Sequence, residues 1–205
     1  MTDVNVAVVY YSSTGTNHQL AKWAEEGAKA AGAANVKFLR IPELAPEAAI
    51  ASNPAWEAHY NETKDIPEAT PDDLDWADAV IFSIPSRFGT VPGQVKQFID
   101  TTGGLWAQGK LVNKVVSAMS SASNAHGGQE ATIQSLYTNM HHWGAIIASP
   151  GYADPVQFAS GGNPYGVSVT VDQEGKMVED VKDAVHFQAK RTVTIASYIK
   201  KGMQG

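Results

Sequence analysis

Residues 8–21, VVYYSSTGTNHQLA, decide the fold because they pass from an apolar stretch through a hydroxyl-rich turn into a helical pattern. The apolar, β-branched run over residues 4–11 predicts a strand, and Leu20, Trp23 and Ala24 begin a helical spacing that stops near Gly32. In open parallel sheets, ligands bind outside the carboxyl ends of the strands, where such a turn lies. The turn at residues 12–17 is therefore the first candidate ligand site.

The rest of the chain repeats this alternation of strand and helix. Further strand-like runs occupy residues 36–41, 79–84, 115–119 and 145–148. Helical stripes lie at residues 95–99, 133–140 and 185–199. The strand-like runs are short and nearly continuous in hydrophobicity, which is typical of a parallel sheet covered on both faces. The pattern predicts an α/β doubly wound sheet, with residues 1–205 forming one domain.

The amino-acid composition restricts the kinds of chemistry that the chain can perform. The chain has no cysteine, which excludes thiol catalysis, thiolate metal sites and disulfides, so redox chemistry requires a bound cofactor. Fifteen Lys and Arg against 21 Asp and Glu give a net charge of -6, which disfavours nucleic acid as a partner. No apolar stretch reaches the roughly 18 residues that a membrane span needs. With no positively charged leader at the start, we expect a cytoplasmic protein.

Two segments interrupt the alternation. Residues 43–76 hold four prolines and little periodicity, apart from a short helix expected near residues 72–76. Residues 150–170 are rich in glycine and proline, with interleaved aromatic residues. Irregular segments of this length are uncommon inside a compact domain and are usually functional or packed against a partner.

The first turn can be compared with known phosphate-binding loops. A Walker loop needs a second glycine followed by lysine, and this chain has no lysine before Lys22. A dinucleotide fingerprint needs more glycines and an acidic residue after the second strand, which instead ends in Arg40. A phosphomonoester held by neutral donors remains, and FMN is the obvious redox example. The alternative is that these residues only turn the chain and cap a helix. The proposed phosphate-binding residues are Ser12, Ser13, Thr14, Gly15, Thr16 and Asn17.

Three further motifs point to one family. PSRFGTVPGQVKQFID follows the third strand, TGGLWAQG occupies residues 102–109, and SSASNAHGGQE follows the fourth strand. Together with YYSSTGTN, they resemble the WrbA family of flavodoxin-like NAD(P)H:quinone oxidoreductases over nearly the whole chain. The resemblance implies a five-stranded parallel sheet in the order 2-1-3-4-5, FMN as cofactor, NAD(P)H and quinone as substrates, and a homotetramer.

The resemblance also assigns two loops to the flavin ring. The second loop would run along the isoalloxazine, with Arg87 favouring the reduced anionic flavin or, alternatively, pairing with a carboxylate at the rim. Its residues are Pro85, Ser86, Arg87, Phe88 and Gly89. The third loop is one residue longer than in relatives, which changes its contacts. Its residues are Ser120, Ser121, Ala122, Ser123, Asn124, Ala125, His126 and Gly127.

The substrate pocket is assigned by the same resemblance. Trp106 would face the flavin of a neighbouring subunit, although a tryptophan is also a common core residue. Thr14 replaces an aromatic residue that some relatives carry near the nicotinamide. In the stretch MHHWG, His142 is the expected proton donor to a quinone oxygen, with His141 behind it and Trp143 beside the substrate. Alternatively, the histidines interact with the helix dipole. Neighbouring histidines point in different directions on a helix, so we expect no metal site.

These residues imply a ping-pong cycle in which NAD(P)H reduces the flavin, leaves, and is replaced by a quinone in the same pocket. Two rival functions stand beside the enzyme, and the first of them would share the first loop. One is a flavodoxin that carries single electrons, and the other is a regulatory protein, since the family takes its name from a proposed association with a tryptophan-repressor protein. The TGGLW segment and the insertion at residues 43–76 favour the enzyme over the carrier.

Overall fold

The computed structural model describes residues 3–203, which form a parallel sheet between two layers of helices. The strands are β1 (Asn5–Tyr10), β2 (Asn35–Arg40), β3 (Ala79–Pro85), β4 (Val115–Ala122), β5 (Ile146–Ile147) and β6 (Ser168–Thr170). The helices are α1 (Thr16–Ala30), α2 (Glu47–Ala51), α3 (Pro54–Thr63), α4 (Pro71–Trp76), α5 (Gly93–Asp100), α6 (Gly103–Ala107), α7 (Gln129–Trp143), α8 (Val156–Ala159) and α9 (Lys182–Gly202).

The sheet has the predicted order β2-β1-β3-β4-β5, with every pair parallel, which confirms the doubly wound fold. The position beside β4 is shared between two short strands. The first residues of β4 pair with β5, and Ser120–Ala122 pair with β6. A sixth strand is therefore attached where one strand was expected, because the chain leaves the sheet after β5 and returns to it at β6.

The two faces of the sheet carry separate apolar layers. On one face, α1 and α9 pack over β1 and β3 through Leu20, Ala24 and Val185. Gly27 lets these helices touch, since a Cβ there would lie 2.9 Å from the Cα of His186. On the other face, α5 and α7 cover the sheet. Both faces are thus buried, as the continuous apolar strands predict. Across residues 3–203, every helix is too short or too polar to cross a membrane.

The segment at residues 43–76 is more regular than expected, since it contains α2 and α3 as well as the predicted α4. Its four prolines predicted an irregular segment, but three of them stand at helix starts. Pro54 and Pro71 occupy first-turn positions and Pro46 is an N-cap, where the missing N–H costs nothing. The segment at residues 150–170 likewise contains α8 and β6.

Candidate functional site

A cleft of about 420 Å³ opens at the carboxyl ends of β1, β3 and β4. Its wall comes from residues 12–14, 16 and 17 of the first loop, 85–88 of the second, and 121–124 and 127 of the third, with Val171 beside them. Gly15 and Gly89 belong to the predicted loops but shape them from outside this wall. The volume lies within the range of about 300–1,000 Å³ that is usual for cofactor pockets. The three predicted loops therefore meet at one site.

The first loop presents a helix start that lacks a side-chain cap. Gly15 is the N-cap of α1 and has φ 101°, in the left-handed region that glycine tolerates. Its N–H donates to Ser12 Oγ at 3.0 Å, which leaves the Ser12 hydrogen free to point into the cleft. The N–H groups of the first helical turn have no partner within a helix, and the helix dipole favours an anion there. This arrangement fits the phosphate of FMN.

Asn17 joins the first loop to the sheet beneath it. Its side-chain N–H donates to Ser83 Oγ at 3.2 Å, and its Oδ1 accepts from Ser121 Oγ at 2.6 Å. The Ser83 hydroxyl donates in turn to the Asn17 carbonyl at 2.8 Å. Asn17 was predicted to bind the phosphate, but its buried amide is committed to β3 and β4. Its side chain therefore fixes the loop to the sheet.

The second and third loops are packed directly against each other through glycines. A Cβ on Gly128 would lie 2.6 Å from the Cα of Gly89, and Gly128 has φ 83°. Ser86 fastens the contact, since its hydroxyl donates to the Gly127 carbonyl at 2.6 Å and accepts from the Gly89 N–H at 3.2 Å. The cleft wall is thus prebuilt within one chain.

Phe88 and Arg87 form the rim of this wall. The Phe88 side chain is fully exposed on a backbone with φ 54°, a conformation that few residues other than glycine adopt. Arg87 donates to Ser13 Oγ at 2.9 Å and to the Ser86 carbonyl at 3.2 Å. No ion pair joins it to a carboxylate in the part of the chain that the structure describes. The rim therefore offers an aromatic ring and a free positive charge.

The third loop contributes only part of its predicted set. Ser120 is fully buried within β4, below the wall. Ala125 and His126 are exposed and lie outside the lining. The Asn124 side chain accepts from the His126 N–H at 2.9 Å and holds that turn.

The histidines and tryptophans predicted for substrate lie at the other end of the molecule. Helix α7 begins beside the third loop and runs for 15 residues, about 22 Å, so its end reaches the amino edge of the sheet. His141 and His142 are exposed there, and Trp106 Nε1 donates to the His142 carbonyl at 2.9 Å. Trp143 is buried in the apolar core. None of these four residues can therefore reach the cleft of its own chain.

Trp106 is nevertheless an exposed residue, since 60% of its surface is accessible. It lies on α6, a short helix made by the TGGLW motif. Gly103 and Gly104 leave open space around this helix. The common alternative of a core tryptophan therefore does not apply to Trp106, whereas it does apply to Trp143.

The structure also shows supporting residues behind the first loop that sequence reasoning missed. His18 stacks on Tyr10 at a centroid distance of 5.0 Å and lies 5.2 Å from the His59 ring. A Cβ on Gly15 would lie 3.6 Å from His59 Nδ1. Burial, with the neighbouring His59 and Lys22, lowers the pKa of His18 to about 4, and burial also lowers the pKa of His59. Both rings are therefore neutral supports at pH 7.

Comparison with known proteins assigns the chain to a family. The sequence pattern of the family described as NADPH-dependent FMN reductase matches residues 4–156. A Deinococcus radiodurans protein named NAD(P)H dehydrogenase (quinone) is 49% identical over 194 residues, covering 95% of this chain and 96% of that protein. A protein of the same name from Geotalea daltonii is 40% identical over 199 residues, covering 94% and 97%.

The crystal structure of a WrbA-like flavodoxin from Agrobacterium tumefaciens superposes with a TM-score of 0.61 and 21% identity, covering 97% of this chain and 98% of that one. At that identity the match supports the fold alone. Together with the sequence matches, it confirms the expected WrbA-like flavodoxin fold, an oxidoreductase, and FMN as cofactor. The chain belongs to the NADPH-dependent FMN reductase family.

Proposed function

We propose that this protein is an NAD(P)H dehydrogenase acting on quinones, with NAD(P)H and the quinone using one pocket in turn. The observation that carries the proposal is the uncapped start of α1, which faces a preformed cleft beside an aromatic ring and an arginine. The relatives at 49% and 40% identity, named NAD(P)H dehydrogenase (quinone), support the same activity.

The first loop would hold the phosphate. Ser12, Thr14 and Thr16 line the cleft around the first turn of α1, where hydroxyl and amide donors can replace the water around a dianion. The chain needs no lysine there because the helix dipole and the hydrogen bonds supply the stabilisation. FMN held in this way supplies hydride acceptance and two-electron reduction.

The second loop would position the flavin ring and stabilise negative charge on it. Phe88 offers an apolar face at the rim, and Gly89, with φ 77°, allows the loop to turn behind it. Arg87 is exposed and unpaired with a carboxylate in the described residues, so its charge is available to favour negative charge on the ring. These residues bind and orient, which is the protein's share of the work in a cofactor enzyme.

A second copy of the chain would complete the substrate pocket. Trp106 and His142 lie together, exposed, about one helix length from the cleft of their own chain. A symmetric assembly can bring such a surface against the cleft of another subunit. We therefore expect a homotetramer in which Trp106 of one subunit walls the pocket of the next, with His142 near the quinone oxygen.

The experiment that tests this function is anaerobic reduction of the FMN-loaded protein. We expect NADH to bleach the visible flavin absorbance, benzoquinone to restore it, and steady-state plots against both substrates to give the parallel lines of a ping-pong cycle. Flavin that loads but stays oxidised under NADH would contradict the proposal and leave the electron-carrier function. Intersecting lines would contradict the shared pocket.

A further inference from the structure

Glu43, at the start of the insertion, accepts five hydrogen bonds, two from its own loop and one from each of three other parts of the fold. Its Oε2 accepts from the Tyr11 hydroxyl at 2.9 Å and from Trp56 Nε1 at 3.2 Å. Its Oε1 accepts from Gln94 Nε2 at 2.7 Å and from the N–H groups of residues 44 and 45 at 2.9 and 3.0 Å. This half-buried carboxylate therefore ties the end of β1, helix α3 and helix α5 together.

Tyr11 connects this carboxylate to the rim of the cleft. The Tyr11 hydroxyl and Ser13 Oγ are 3.3 Å apart, and Ser13 Oγ accepts from Arg87 at 2.9 Å. We call the series Arg87, Ser13, Tyr11 and Glu43 the relay. The relay crosses from the second loop through the first loop to the insertion, which are far apart in sequence.

The chemistry of its two ends fixes the direction of every hydrogen bond in the relay. A guanidinium only donates and a carboxylate only accepts. Because the Tyr11 hydrogen points to Glu43, Tyr11 must accept from Ser13, and the Ser13 oxygen in turn accepts from Arg87. A chain of hydrogen bonds with a charge at each end polarises in one sense, and so its members strengthen one another.

We propose that Glu43 is a positioning residue for the FMN site, which through the relay holds Ser13 and Arg87 at the rim of the cleft. This inference rests on the proposed role of the first two loops in binding FMN. It gives the insertion a function in the site of its own chain. It also separates Ser13 from the other hydroxyls of the first loop, because the Ser13 hydrogen is committed to Tyr11 and does not reach the phosphate.

The test measures FMN dissociation constants by flavin fluorescence in a set of double-mutant cycles. Glu43→Gln places the amide N–H groups of glutamine against groups that also donate hydrogen bonds, and Tyr11→Phe removes only the hydroxyl. We expect each change to weaken FMN binding about tenfold. In an Arg87→Ala background, the same changes should each have less than about a twofold effect, since the relay no longer ends on a charge. Glu47→Gln on α2 makes the same change in charge at an exposed position and should leave the affinity unchanged.

Ser12→Ala serves as the matched comparison within the first loop. As a direct phosphate donor, Ser12 should show its full loss in both backgrounds, whereas Ser13→Ala should lose its effect when Arg87 is absent. Equal losses for Glu43→Gln and Tyr11→Phe in both backgrounds, or no loss in either, would overturn the relay. Because the readout is FMN binding, a wild type that binds FMN without reducing quinones would refute the proposed function and leave this inference standing.

Discussion

The two edges of the sheet differ in how much of a site a single chain builds. At the carboxyl edge, three loops are joined by side-chain hydrogen bonds and by glycine contacts into a cleft that exists without any partner. At the amino edge, Trp106 and the end of α7 present exposed groups at the surface of the chain. The proposed cofactor site is therefore built within one chain, whereas the proposed substrate wall requires an assembly.

The largest effect is expected for a substitution at the carboxyl edge, where it tests whether close packing of the loops determines FMN affinity. Gly128→Ala places a methyl group 2.6 Å from the Gly89 Cα on a backbone with φ 83°. Overpacking and left-handed strain together cost about 2–4 kcal/mol, so we expect FMN binding to weaken about a hundredfold in a fluorescence titration. Gly104→Ala at the other edge meets open space and should leave FMN affinity unchanged. Equal FMN affinities for the two variants would mean that the packing of the carboxyl edge does not determine FMN binding.

A second change removes the connection between the first loop and the sheet. Asn17→Ala leaves the buried hydroxyls of Ser83 and Ser121 without their amide partner. We expect the free energy of unfolding to fall by about 2–3 kcal/mol in urea denaturation, with FMN binding weakened as well. Asn61→Ala, at an exposed position on α3, is the control and should change stability by less than about 0.5 kcal/mol. An Asn17 variant as stable as the control would mean that the loop is held by its backbone alone.

The cleft was largely predictable because each of its loops is one continuous motif at the end of a strand. Residues 12–17 could be identified once the strands were recognised, since parallel strands place their carboxyl ends at one edge. Residues 85–89 were assigned by the resemblance. The short strand β6 was not predictable, because its three residues follow a glycine- and proline-rich stretch and pair only after the chain has returned to β4.

The residues outside the motifs that support the cleft could not be predicted from the sequence either. Glu43 and His59 act on the first loop from positions about 30 and 44 residues away, and no periodicity or spacing marks such contacts. The expectation for His142 had a different weakness. The resemblance assigned His142 a role in the substrate pocket but did not say which subunit's pocket it serves, and the length of α7 places the residue at the edge opposite the cleft of its own chain.

The amino edge is tested by Trp106→Ala. If this tryptophan walls the pocket of a neighbouring subunit, its loss should lower kcat/KM for quinones about tenfold, while FMN affinity stays the same. Tyr198→Ala, which truncates another exposed aromatic residue, should change neither quantity. Size-exclusion chromatography on the same samples distinguishes a lost wall from a lost assembly. A loss of FMN binding in the Trp106 variant would contradict the proposal that FMN binding depends on the carboxyl edge alone.

The smallest effect concerns the histidines behind the first loop, the partly buried His18 and the buried His59. Burial, followed by His59 and Lys22, lowers the pKa of His18 from 6.5 to about 4, against a small opposing effect of Glu62. Between these values the unfolded chain binds more protons than the folded one, so stability is complete above pH 6.5 and falls as the pH decreases toward 4. Because His18 is partly exposed, we expect a loss of only about 1 kcal/mol between pH 7 and pH 5.

His18→Phe keeps an aromatic ring beside Tyr10 and removes the titrating group, so the melting temperature should fall less between pH 7 and pH 5 than in the wild type. The remaining slope should come in part from His59, whose pKa burial also lowers. His141→Gln changes an exposed histidine at the amino edge and should keep the wild-type slope. If the melting temperature of the His18 variant fell as much between pH 7 and pH 5 as that of the wild type, the loss of stability in acid would not come from His18. The two edges of the sheet would then not differ in how protonation affects stability.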